Sequence, residues 1–255
     1  MWPKEHGAYG QLLFPIVTAL AMGRPSLTAF ALALGAVAVF VAHEPLLVMA
    51  GARGRRAQRE LGPRARRWLA GLASLAAAAV WTAWIRVPPG TRWTWLVPLS
   101  IALVAAWSSI RGQERTTAGE AVAGVALSSA SFPVGVAAGL AVPVAAGCTA
   151  AFVVGTMAAT LSVRGIIGRA RGVSGAPGPL VVAVVSLGLV LLVAALAGLG
   201  AVHPAGVWGA FPVTLAALAV AVVAPAPRHL RRVGWTLIAA TALAALVLLV
   251  GERLG

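Results

Sequence analysis

The chain has 255 residues, of which 60% are hydrophobic and only 10% charged, and its mean hydropathy is +0.92. Soluble domains carry about 25% charged residues, so this composition cannot clothe a water-soluble surface, and it places the chain among polytopic membrane proteins. The formal net charge of +14 invites a nucleic-acid reading, but the basic residues alternate with apolar runs and form no basic domain, which excludes that class of partner.

The first apolar stretch, 8–24, follows the opening "MWPKEHGAYG". Those ten residues hold the only lysine, Lys4, and the only tyrosine, Tyr9, together with Glu5 and His6. Ala19 and Ala21 make an A-x-A pattern, yet Glu5 in the head region and Pro15 in the apolar run argue against a cleaved leader. The second stretch, 26–49, carries His43 and Glu44 about 26 Å along a helix counted from Ser26. Pro45 and the following "LLVMAG" predict a kinked or re-entrant end. "GARGRRAQRELGPRARR" (51–67) reads as a solvated basic loop. Stretches 68–86 and 93–110 have Trp81, Trp84, Trp93 and Trp95 at their facing ends, the aromatic signature of a membrane boundary.

After "RGQERTTAGE" comes an uncharged segment, 121–163, twice too long for one span. "GLAVPV" (139–144) supplies a hairpin that divides it into stretches 118–137 and 141–162. "GVAAG" (135–139) matches G-x-x-x-G and reads as helix packing. Cys148, the one cysteine, reads as a small buried packing residue. The last stretches are 178–200, 206–224 and 233–250. Nine runs of this kind, continuous rather than alternating with period two, predict an all-α bundle of nine transmembrane helices forming one membrane domain over 1–255, not a barrel.

Charge placement gives the orientation. With the N-terminus in the cytoplasm, nine crossings put Arg24, Arg86, Arg92 and Arg253 outside and the other sixteen basic residues inside. Every loop is then in phase with the positive-inside rule, and one span more or fewer scrambles it. The expectation is a bacterial cytoplasmic membrane protein with its N-terminus inside and its C-terminus outside.

The scarce polar chemistry falls at one depth on that inner face. Glu5, His6 and Tyr9 share neighbouring turns. His43 and Glu44 close the second stretch, Arg111, Glu114, Arg115 and Glu120 flank the fourth and fifth, and Arg164 and Arg169 end the sixth. Ionisable groups at membrane depth face a bundle interior or a cavity, so these are the candidate ligand-binding residues. The two Glu–His pairs could hold a transition metal only if adjacent side chains on a helix pointed the same way, and they diverge; no metal or other cofactor is expected. All six acids are glutamate, and none lies between Glu120 and Glu252. No phosphate-binding loop, H-E-x-x-H or nucleophile elbow occurs.

"PKEHGA" followed by an apolar run with a proline resembles the YwiC-like family of bacterial membrane proteins. "EPLL" and "RGRRAQRE" are similar to that family as well, and the likeness extends over most of the chain. It implies no defined reaction. A more distant likeness is to the UbiA prenyltransferase superfamily, which implies nine helices, a cytoplasmic active site, and two acidic motifs after the second and sixth helices. Here those places hold His43–Glu44 with the arginine loop and "SVRGIIGRARG" (162–172). Enzymes of that superfamily use aspartates to hold Mg²⁺ against a substrate diphosphate, and the second place here has no acid at all. A Mg-dependent prenyltransferase is therefore not expected. Arginines bind phosphate directly, so the leading expectation is an anionic lipid or isoprenoid-like amphiphile held in a cytoplasm-facing cavity. A small-molecule transporter or exporter and a non-catalytic scaffold remain as alternatives, and the sequence names no protein partner.

Overall fold

A computed structural model describes residues 6–113 and 116–254. Among the described residues all regular structure is helical. The helices are α1 (His6–Met22), α2 (Leu27–Met49), α3 (Arg55–Trp84), α4 (Leu96–Ile110), α5 (Thr117–Ser129), α6 (Ser131–Ala137), α7 (Val142–Ala170), α8 (Pro179–Gly198), α9 (Ala205–Val223) and α10 (Leu230–Leu254), with 3-10 turns at Pro89–Trp95 and Pro227–His229. Among the described residues, seven helical stretches are long and apolar enough to cross a membrane: Leu27–Met49, Pro89–Ile110, Thr117–Ala137, Val142–Ala170, Pro179–Gly198, Ala205–Val223 and Pro227–Arg253. The apolar part of α1, Gly7–Met22, is shorter, and α3 has arginines throughout its first half. By length and composition alone, seven of the nine expected spans qualify among the described residues.

Three local expectations change. The basic stretch 51–67 is mostly helix: after a turn at 50–54, α3 begins at Arg55 and runs through Pro63 for 30 residues. Arg, Gln, Glu, Ala and Leu are good helix formers, so a charged sequence outside the apolar zone still coils. The end of α2 is not re-entrant; the helix continues past Pro45 to Met49 and stops in a turn. "GVAAG" does not pack as a unit, because Gly139, at φ 86°, lies in the turn after α6. Gly135 alone makes a close approach, its missing Cβ leaving room for Ala145 and Leu140.

Packing is built on small residues, as expected where lipid gives helices no hydrophobic reason to associate. α7 is central and touches α1, α5, α6, α8, α9 and α10. A Cβ at Gly206 would sit 2.6 Å from the Gly147 carbonyl oxygen, so the backbones of α9 and α7 are in contact there. Ala19, Cys148, Ala151, Ala210 and Leu248 are buried together in this region. α10 returns to pack on α1 as well as on α9 and α7, while α3 packs chiefly on α2. Large apolar side chains such as Leu187, Leu191, Leu215 and Leu246 face outward.

The turns group by end. The Arg24 N–H donates to the Ala138 carbonyl at 2.7 Å and the His203 N–H to that of Pro143 at 2.8 Å. The Ser26 hydroxyl donates to the Ala137 carbonyl and accepts from the Ala29 N–H as the N-cap of α2. At this same end Trp93 meets Phe132, Trp84 meets Trp95, and the Arg92 guanidinium lies 4.3 Å over Trp84. The opposite end brings the start of α5 against the end of α7.

Candidate functional site

A cavity of about 1050 Å³ lies between α1, α2, α3, α4, α5, α7, α9 and α10. Its wall is largely alanine, leucine and phenylalanine, including Phe14, Phe40, Leu72 and Phe152. At one extreme it reaches Phe152 and Val213, near the middles of α7 and α9; at the other it ends among His43, Glu120 and Arg231. Two of its walls are α3 and α4. These helices are tied at the Trp84–Trp95 end, where Arg92 Nη2 also donates to the Trp84 carbonyl. Along their lengths they scarcely touch, although both line the cavity.

The residues singled out from the sequence fall into three groups. Glu5, Glu114 and Arg115 lie outside the described residues, and so does the side chain of His6, whose backbone opens α1. Tyr9 is half-buried, with its ring edge-on to Phe40 at 5.0 Å. His43 and Glu120 line the cavity. The remainder are engaged elsewhere. Arg53 grips Glu44 with two hydrogen bonds, Nε to Oε1 at 3.1 Å and Nη2 to Oε2 at 2.8 Å, which ties the turn after α2 to that helix. Arg111 stacks on Trp107 at 4.4 Å. Arg169 donates to the Pro177 carbonyl at 3.2 Å and so braces the α7–α8 connection. Arg164 forms a two-pronged ion pair with Glu120, which closes the rim between α5 and α7. The geometry thus brings His43, Glu120 and Arg164 to one rim and leaves Arg111 and Arg169 holding local structure. Among the described residues no three His, Cys, Asp or Glu side chains cluster as a metal site would require.

Sequence reasoning missed what lies inside the cavity. Gln11, Ser109, Thr156 and Thr160 line it, and Arg231 stands exposed at its mouth. Thr156 shares a hydrogen bond of 3.1 Å with Ser128. Gly124 makes room for this: a Cβ there would fall 2.5 Å from Thr156 Cγ2 and 3.4 Å from Gln11 Oε1. α5 can approach α1 and α7 this closely only with glycine at that position. Gln11 was discoverable, since the chain has three glutamines and no asparagine, and only Gln11 sits inside an apolar stretch. In the sequence Arg231 counts only among the inner basic residues that set orientation.

These features define a multi-pass, all-helical integral membrane protein with an internal cavity. The chain belongs to the YwiC-like protein family, whose model matches residues 2–136. That span covers α1 to α6 up to Val136, and with them Gln11, His43, Glu44 and Glu120; Thr156, Thr160, Arg164 and Arg231 lie beyond it. No curated protein and no solved structure matches the chain, so the likeness to the UbiA superfamily has no structural counterpart behind it.

Proposed function

We propose that this protein binds an anionic amphiphile, a lipid or isoprenoid-like molecule, in the cavity between α1 and α10, with the head at the rim and the tail leaving between α3 and α4. In this reading the chain makes nine crossings of the bacterial cytoplasmic membrane. Its N-terminus and the cavity rim face the cytoplasm, and the bundle is a UbiA-like relative that works without Mg²⁺ and without prenyl transfer. The observation that carries it is the cavity itself: about 1050 Å³ of largely apolar space with its charged groups confined to one end. Pockets for small ligands have this character, mostly apolar with a few placed polar groups.

The cation for the head is Arg231. Arg164 and Arg169 have partners in Glu120 and the Pro177 carbonyl, whereas Arg231 has no ion pair among the described residues. Arginine at such a mouth binds phosphate by charge-assisted hydrogen bonds. A second reading, transport, is favoured by one observation: the helical stretch Thr117–Ala137 is broken at Ala130 between α5 and α6, and broken helices mark substrate sites in transporters.

Mass spectrometry of the purified full chain tests the main reading. Wild type retains a phosphate-bearing lipid and Arg231→Gln retains less. Wild type free of any such lipid, together with no stabilisation by added dodecyl phosphate, ends the proposal.

A further inference from the structure

Three uncharged polar side chains on the cavity wall have no hydrogen-bond partner among the described residues: Gln11 on α1, Ser109 on α4 and Thr160 on α7. Neighbouring hydroxyls show that this is not a property of helical hydroxyls in general. Thr241 and Thr214 donate to the carbonyls four residues before them, and Ser162 donates to the Ala159 carbonyl. Thr160 makes no such bond although it is only 8% exposed. The polar atoms of all three open into the cavity rather than into packed protein, so they are free to hydrogen-bond whatever fills it.

The depth of these groups is informative. Thr160 lies four residues before Arg164, about 6 Å below the rim along α7. Gln11 is level with Thr156, its neighbour across Gly124, and so about 12 Å below the rim. A ligand with its phosphate at Arg231 therefore meets hydrogen-bond donors one to two helical turns farther in. An isoprenyl phosphate offers only hydrocarbon there. A glycerol-based phospholipid offers ester carbonyls, which lie a few bonds beneath the phosphate and accept hydrogen bonds. α3 and α4 both line the cavity and scarcely touch along their lengths, which leaves a lipid a route between them.

From this placement we infer that the occupant is an ester-linked anionic glycerophospholipid, whose carbonyl oxygens accept hydrogen bonds from the Gln11 amide and the Thr160 hydroxyl. The inference rests on the amphiphile reading above and names its chemical class.

The test compares three probes on the purified full chain: dioleoyl phosphatidic acid, its dialkyl ether analogue without carbonyls, and farnesyl phosphate. Wild type binds the ester lipid roughly five- to tenfold more tightly than the ether lipid, the effect of one or two hydrogen bonds. Gln11→Leu and Thr160→Val each reduce that preference, and the double variant removes it. Arg231→Gln weakens all three probes alike. Thermal midpoints of the unliganded variants stay at or above that of wild type, because neither side chain has a partner in the protein to lose. Equal binding of ester and ether lipids, or a preference that survives the double variant, overturns the ester assignment and leaves the amphiphile reading standing. Failure of wild type to bind any of the three overturns both.

Discussion

The ion pair between Glu120 and Arg164 can be tested most sharply, because it joins α5 to α7 at the rim. Glu120→Gln keeps the side chain's shape and removes its charge. The size of the effect follows from exposure. Fully exposed pairs contribute about 0.2–1 kcal/mol, whereas removing one member of a buried pair costs about 3–5 kcal/mol. The Arg164 side chain is 18% exposed and that of Glu120 46%, so the pair lies between these limits, with the exposed carboxylate drawing it toward the lower. A loss of about 2 kcal/mol is expected for Glu120→Gln, and a coupling of about 1 kcal/mol in a double-mutant cycle with Arg164→Gln. The assay is reversible unfolding of the full chain in mixed detergent micelles. Exchanging the two residues, Glu120→Arg with Arg164→Glu, restores at least half of the loss. A coupling below about 0.3 kcal/mol, or a swap no better than the single variants, refutes the view that this pair closes the rim.

Other outcomes follow from the packing and the charges. Gly206→Ala forces α9 off α7 at the Gly147 carbonyl and lowers stability by about 1–3 kcal/mol, while Gly188→Ala, whose Cβ would meet nothing within 4 Å, is neutral or stabilising by up to about 1 kcal/mol; the same unfolding assay reads both. Cys148, 1% exposed, resists a membrane-permeant maleimide in the folded protein and reacts once the protein is unfolded, with mass spectrometry as the readout. Reporter fusions at the two chain ends report opposite compartments if the bundle makes nine crossings, and a shared compartment removes the proposed topology.

Hydropathy and charge located nearly every helix of this chain, because a span must be apolar for about the thickness of the hydrocarbon core. They also placed the α6–α7 turn correctly, where Gly139 takes a left-handed backbone. The same logic misjudged the start of α3, since it senses contact with lipid rather than helicity: Arg55 to Arg67 are polar and helical at once. The site was legible only in part. His43, Glu120 and Arg164 stood out by charge and do share a rim, but nothing in the spacing told that Glu120 would neutralise Arg164. The interior groups were hidden for a different reason. Gln11 and Thr160 are 149 positions apart and line one cavity only because α1 is packed beside α5 and α7, and lateral helix order leaves no trace in local sequence.

The contact between α1 and α10 has a consequence for biosynthesis. α1 leaves the ribosome with a face whose mate, α10, is made about 200 residues later, so α1 must wait in the bilayer while α2 to α9 are inserted. Formation of this contact then follows insertion of the helices between, and truncations that stop short of α10 would leave that face of α1 uncovered and exposed to the quality-control proteases of the membrane.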